Sequence, residues 1–462
     1  MDAFSYVAGR EIQMITGLRI KNFKGWKDTK PFRLAPITGL FGTNSSGKTS
    51  LLQLLLLLKQ TSESADRRIA LDFGDDKTPV ALGTLLDVLY RHDDTNALEW
   101  AVEWIPRADE RATLADDIGN SVDVSKLELA GAVSSAKSGP RTDSFSYSFG
   151  KNRIGYRYDP GRRRYSLEME PADLVQFGRP VGRPPLSEPT KCYGFPDELK
   201  SYSKGEVLAD LELTFESLMS SLYYLGPLRD DPKRQYVWGG AQPRDVGMRG
   251  QLAVAALLAA RARSLMISPG PRKKRQHLEK YVATWLERLS LISRFEVREV
   301  RAGSNLFQVH ILRDPESADV LLTDVGFGVS QILPVIVLCF YVPEGSTVLL
   351  EQPEIHLHPA VQAGLADVLI DAVNRRGIQV IIESHSEHLV RRLLRRVAED
   401  NIRSTDCALY FCDSMEGHNV LTELELTEKG AISNWPKGFF GEPLEEAVAT
   451  TRAVAARFAT AD

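Results

Sequence analysis

The sequence predicts an α/β fold, a mixed sheet with flanking helices, interrupted by a β-rich insertion and a helical segment. Three observations predict it. Near the N-terminus an apolar strand, APITGLFG, runs through a glycine-rich loop into an almost wholly apolar helix, KTSLLQLLLLLKQ. Far along the chain TVLLE and QVIIES have the unbroken apolar character of parallel strands covered on both faces. Between them the hydrophobic period is two, which marks an antiparallel meander. The chain therefore divides into 1–70, 71–225, 226–300 and 301–462, the outer segments being two halves of one α/β unit.

The elements follow in order. ITGLRIKNFKGW alternates apolar and polar residues and reads as a strand. A helix apolar all round, as after the glycine loop, is predicted to be buried on every side. From residue 71 to 225, ALEWAVEW, SFSYSF, RIGYRY and RRYSLEME alternate between GKN and DPG turns, and GRPVGRPPLSEP, Gly178 to Pro189, is a proline-rich loop. RGQLAVAALLAARARSLMI and KRQHLEKYVATWLERLSLI change to the helical period, with SPGPRKK between them. Strands return at RFEVREV and NLFQVHIL. There is no internal repeat and no sustained heptad pattern.

Composition limits the classes of function. With 462 residues, 43% hydrophobic and 26% charged, the chain can bury a large core, and a net charge of −4 gives no global attraction to nucleic acid or membranes. Four scattered cysteines suit neither a disulfide framework nor a zinc ribbon, so a reduced cytoplasmic setting is expected. No signal peptide is read at the start. The apolar runs Leu51 to Leu58 and Ile332 to Val342 fall short of the ~20 residues a spanning helix needs, so no membrane segment is expected.

The strongest motif is GTNSSGKT, Gly42 to Thr49. Placed between a strand and a helix, it is a phosphate-binding loop. Gly42 and Gly47 permit the turn, backbone amides from Asn44 through Ser45 and Ser46 to Thr49 face the phosphates, Lys48 reaches their far end, and the Thr49 hydroxyl ligates Mg²⁺. Ser50 completes the candidate binding set. In TVLLEQPE the strand ends in Glu351, a second candidate ligand for Mg²⁺. QVIIESHSEHLV ends a strand in Glu383, Ser384, His385 and Ser386, where a histidine can bond a phosphate or position water. DVGFGVSQILPVIV places two glycines at a helix start, which reads either as a second anion site or as an ordinary glycine cap.

The set GTNSSGKT, DVGFGVSQ, LLEQPEIHLHP and ESHSEH, in this order, resembles the ABC-class ATPase heads of the SMC, RecF and overcoming-lysogeny-defect kind. It looks closest to the stand-alone "AAA family ATPases" of anti-phage systems such as Septu and PARIS. YYLGPLRDDPKRQY and NWPKGFF are also similar to sequences of that group. The resemblance implies a P-loop ABC-type ATPase head that takes ATP and Mg²⁺. It makes Gly326, Gly328, Ser330 and Gln331 part of a signature motif acting on the nucleotide of a second subunit, His356 to Pro359 an interface loop, and His385 the switch histidine. A homodimer or higher even oligomer built around an ATP sandwich follows.

Two positions depart from that pattern. Gly326 stands where serine is common, and Gln352 where the catalytic glutamate is expected. A glutamine cannot take a proton at neutral pH, although it can orient water. Three alternatives for the attack remain open: Glu354 is the base, His385 positions the water, or the protein hydrolyses slowly and acts as an ATP-closed clamp.

Weaker features complete the reading. Glu354, His356 and His358, or Cys407, Cys412 and His418, lack a full metal-ligand spacing. The basic runs Arg162 to Arg164 and Arg272, Lys273, Lys274, Arg275 read as solvated faces or as nucleic-acid contacts. The function expected is an ATPase regulator of a separately encoded effector protein, with a RecF-like DNA clamp as the alternative and a transporter motor last.

Overall fold

The computed structural model describes residues 12–436 except 119–121, 173, 175–185 and 202–203. Most of the proline-rich loop, and NWPKGFF from residue 437 on, lie outside the described residues.

A six-stranded sheet carries the outer segments of the chain. Its order is Leu222–Leu225, Thr347–Glu351, Gln379–Glu383, Ile37–Gly42, Cys407–Met415 and His418–Leu424, parallel except for the last strand. Its strands feed two cores by alternation. Ile37, Phe41, Val348, Leu350, Val380 and Ile382 face the helices Ala253–Ala262, Leu278–Arg288, Phe327–Tyr341, Pro359–Arg376 and Glu387–Ala398. Leu40, Leu349, Ile381 and Tyr410 face the opposite way, onto the helix Lys48–Glu63.

That helix is sandwiched. Its other side packs under an eight-stranded antiparallel sheet and against the helix Glu206–Ser220, so Leu51, Leu52 and Leu54 to Leu58 are all buried. A helix with a sheet above and below has no solvent face, which is why its sequence carries no polar stripe.

The antiparallel sheet is not confined to the expected insertion. Met14–Phe23 pairs with Leu98–Ile105 in the register Leu18↔Val102 and Ile20↔Trp100, so the first strand joins the meander. Alternating burial along Leu98–Ile105 matches the period-two expectation. The segment 226–300 is only partly helical. SPGPRKK closes a small hairpin, Met266–Ile267 against Gln276–His277, and Tyr236–Val237 and Arg294–Glu299 belong to a four-stranded sheet. Among the described residues no helix is long and apolar enough to cross a membrane.

The buried amide of Gln379 stitches the two sheets. Its Oε1 accepts from Ile15 N and Thr347 Oγ1, both at 3.1 Å, and its Nε2 donates to the carbonyls of Ile15 at 2.7 Å and Ala35 at 3.1 Å. Gln379→Leu strands these partners without water, and unfolding stability is expected to fall by about 3 kcal/mol. A urea titration checks this; an unchanged midpoint would show that the amide is dispensable.

Candidate nucleotide site

The phosphate loop is fixed by close packing. Gly42 has φ 139°, and a Cβ there would sit 2.0 Å from the Cys412 carbonyl oxygen. Gly47, with φ 83°, opens the helix, and a Cβ there would sit 2.0 Å from Asn419 Nδ2. Only glycine fits both places. Ser45 also adopts positive φ, 62°. Trp26 Nε1 donates to the Gly47 carbonyl at 3.1 Å, and Ser46 Oγ donates to the Thr43 carbonyl at 2.8 Å. Asn44 is exposed within the loop, and Ser50 is buried one residue into the helix beyond Thr49.

Lys48 is only 3% exposed, and its Nζ folds onto the loop, donating to the Thr43 carbonyl at 2.6 Å and the Gly42 carbonyl at 3.3 Å. Burial lowers its pKa, while the neighbouring acids, Glu383 first and Glu354 after it, oppose that shift. A buried ammonium held by carbonyls is poised to exchange them for phosphate oxygens.

Around it the parallel strands deliver carboxylates. Glu351 and Glu383 are register partners at the ends of adjacent strands. Thr49 Oγ1 donates to Glu383 Oε1 at 2.9 Å, so the structure puts this hydroxyl on Glu383, a residue the sequence reading left without a role. Glu351 Oε2 accepts from Tyr224 Oη at 2.6 Å, and burial raises the Glu351 pKa. Gln352 takes a left-handed φ of 43° and donates its backbone N–H to the Glu383 carbonyl at 2.8 Å, which brings its side chain near the Glu383 carboxyl. Glu354, 6% exposed, accepts at Oε1 from the His385 backbone N–H at 2.6 Å, while its Oε2 is buried without a partner. Burial is the main cause raising the Glu354 pKa. The exposed His385 lies beside Lys48 and the Gly42 backbone, and partial burial with the Lys48 charge lowers its pKa.

These donors fit Mg²⁺. The second oxygen of Glu383 is buried and unpartnered, next to the Thr49 hydroxyl and Glu351. A small hard cation takes one or two carboxylates and a hydroxyl, and leaves its other positions to water and phosphate. Among the described residues no three or more His, Cys, Asp or Glu form an all-protein metal cage. His358 instead caps the helix Pro359–Arg376, its Nδ1 accepting from Ala360 N at 3.3 Å, and His356 occupies a turn with φ 62°. Cys407 and Cys412 are buried thiols, each pushed up to about 12 by desolvation.

The glycines of DVGFGVSQ sit apart from this cluster. Gly326 precedes the first turn of the helix Phe327–Tyr341, exposed beside a Phe327 that is 67% exposed. Gly328 lies in that turn, Ser330 Oγ donates within it to the Phe327 carbonyl at 2.9 Å, and Gln331 is buried. Both basic runs are exposed: Arg162 pairs with Asp159 at 3.7 Å in the turn that leads into the strand Arg164–Glu170, and 272–275 lie in the Met266–His277 hairpin.

The sequence reading names Glu383 without a role and does not single out Tyr224 or Arg229. Glu383 ends an apolar strand as Glu351 does, a signal present in QVIIES. YYLGPLR was recognised only as a similar segment. A cavity of about 520 Å³ lies elsewhere, on the antiparallel sheet, where Lys21–Glu99 and Lys126–Glu103 ion pairs already satisfy much of the charge.

Burial first, then repulsion from Glu351, pushes the Glu383 pKa up to about 7, against the opposing Thr49, Lys48 and Gln352 contacts. The folded state therefore favours the protonated acid. Its contribution is complete below the ordinary value of 4.5 and is lost as pH rises through about 7. Nucleotide-free protein is expected to lose about 3 kcal/mol over that window, and Glu383→Gln to remove this slope. Urea midpoints compared across the window decide it, since parallel slopes in both proteins would place the proton elsewhere.

Comparison with known families is consistent with this layout. Residues 14–130 match a model described as "AAA ATPase domain", and residues 196–391 match one described as "AAA domain, putative AbiEii toxin, Type IV TA system". Residues 402–448 match "Protein of unknown function (DUF3696)". No curated protein matches. Among solved structures, an Smc head bound to the C-terminal winged-helix domain of ScpA aligns with a TM-score of 0.45 and 12% identity, over 89% of this chain and 98% of that one. The SMC head domain from Thermotoga maritima aligns with a TM-score of 0.40 and 11% identity, over 89% and 99%. An Smc head with extended coiled coil bound to the C-terminal domain of ScpA, from Pyrococcus furiosus, gives 0.43 and 9%, over 96% and 100%. The first matched segment carries the phosphate loop and the second carries Tyr224, Glu351, Glu354, Glu383 and His385, so the two halves that meet at this site are each similar to an AAA-type ATPase domain.

Proposed function

We propose that the chain binds MgATP at Gly42–Thr49 and hydrolyses it slowly, as an ABC-class head that dimerises around the nucleotide. The observation that carries this reading is the convergence of a buried lysine, a loop hydroxyl, two carboxylates at the ends of parallel strands and a third in the turn that follows. Lys48 releases the Thr43 carbonyl for the β and γ phosphates, and the loop amides take the remaining oxygens. Thr49, Glu383 and Glu351 would hold Mg²⁺, which neutralises charge developing on the transferred phosphoryl group.

Glu354 is the proposed base. Its unpartnered Oε2 is free to accept the proton of the attacking water, and burial makes it a stronger base than an exposed carboxylate. Gln352, tied to Glu383, orients rather than deprotonates, and His385 steadies the loop side. The exposed start of the helix Phe327–Tyr341 supports its use against the nucleotide of a second copy, through the amides around Gly326, Gly328, Ser330 and Gln331. ATP-dependent pairing of heads would then control a separately encoded effector, in anti-phage defence. The toxin–antitoxin wording of the matched description supports such a two-component role.

Lys48→Ala is expected to abolish ATP binding. Glu354→Gln is expected to lower turnover about 100-fold while leaving ATP affinity within about threefold. Steady-state ATPase assays with parallel binding titrations test both, and unchanged turnover in Glu354→Gln would remove it as the base. Mass measurements with and without ATP test the dimer.

The exposed run 272–275 favours a second reading, a clamp that closes on DNA. On that reading, replacing Arg272, Lys273, Lys274 and Arg275 by Gln weakens DNA binding and flattens its dependence on salt. Salt-insensitive binding, or none in the parent, would discard it.

A further inference from the structure

The residue that the nucleotide site leaves unexplained is Arg229. It lies four residues beyond the strand Leu222–Leu225, which runs parallel to the acidic strand with Leu225 opposite Leu350. The chain thus leaves the sheet directly beside Glu351. The loop is held on both sides of the arginine: Gly226 N donates to the Met248 carbonyl at 2.8 Å, Asp230 N donates to the Arg249 carbonyl at 2.9 Å, and Arg249 pairs with Asp230 at 2.8 Å.

Arg229 is 8% exposed, yet its Nε and Nη1 are buried with no hydrogen-bond partner. Burying a guanidinium unpaired is among the costliest arrangements a fold can hold. A structural role would be visible as an ion pair with the acids nearby. Those acids are engaged elsewhere, Glu351 with Tyr224 and Glu354 with the His385 amide. Burial lowers the Arg229 pKa to about 10, against the opposing influence of Tyr224, Glu351 and Glu354, so it stays a cation at neutral pH. The neighbouring Glu354 keeps its Oε2 buried and unpartnered as well. An orphaned fork of donors beside an orphaned acceptor describes a place built for a group carrying both anionic oxygens and a cation.

We propose that Arg229 contacts the terminal phosphate of the bound nucleotide, supplying from within the chain the guanidinium that stabilises charge on the transferred phosphoryl group. The planar fork matches two phosphate oxygens, which a lysine cannot reproduce. Such a cation also compensates in part for the missing glutamate at Gln352, because phosphoryl transfer relies chiefly on positioning and electrostatic stabilisation. The inference rests on the nucleotide reading of the site and deepens it.

The test separates the two. The parent, Lys48→Ala, Arg229→Gln and Arg229→Lys are titrated with MgADP alone and with MgADP plus aluminium fluoride, and ATP turnover and melting temperature are measured in parallel. Both Arg229 variants are expected to bind MgADP within about threefold of the parent, to lose at least about tenfold in preference for the fluoride complex, and to turn over about 100-fold more slowly. Failure of Arg229→Lys to restore the preference would support recognition by the fork rather than by charge alone. An undiminished preference in either folded variant would overturn the role of Arg229 while leaving the site intact. Failure of the parent to bind nucleotide better than Lys48→Ala would overturn the nucleotide reading and this inference with it. If Arg229→Gln does not fold, Arg229→Lys carries the comparison.

Discussion

The structure depends on the placement of acids at the ends of two neighbouring parallel strands, facing a lysine that has almost no access to water. Glu351 and Glu383 are fixed side by side by sheet register, not by side-chain choice. Burial first, and then the neighbouring acid, disfavour the charged form of Glu383, which responds by holding its proton near neutrality. The lysine answers the same pressure by bonding the loop carbonyls. The site is electrostatically incomplete by construction, and on the proposed reading MgATP would bring the charges of both signs that complete it.

Everything around the site keeps that arrangement from relaxing. The helix that carries Thr49 cannot tilt, because leucines on all its sides are clamped between two sheets. The loop cannot widen, because Gly42 and Gly47 have neighbours where a side chain would be. The sheets themselves are tied by the Gln379 amide, whose four hydrogen bonds join strands from distant parts of the chain.

Much of this was legible in the sequence because it is local. The GTNSSGKT pattern, the apolar strand ending in Glu351 and the alternation in ALEWAVEW each announce themselves within a dozen residues. What escaped is long-range. That Thr49 bonds Glu383 follows from the order of strands in the sheet, which no short segment encodes. Arg229 stands in YYLGPLRDDPKRQY with nothing local to mark it, and only the approach of its strand to the acidic one reveals that it is buried. The first strand was assigned to the α/β unit because it is near the loop in sequence, whereas its alternating burial belongs to the antiparallel sheet.

The contact of Trp26 with the Gly47 carbonyl has a mechanical meaning. Trp26 belongs to the edge strand of the antiparallel sheet, and the neighbouring Gly25 carbonyl accepts from Asn419 N at 2.9 Å, on the last strand of the parallel sheet. The phosphate loop is therefore the fulcrum at which the rims of both sheets bear on one peptide. The edge of the meander is thus joined to the Gly47 peptide and to the edge of the other sheet by hydrogen bonds one residue apart.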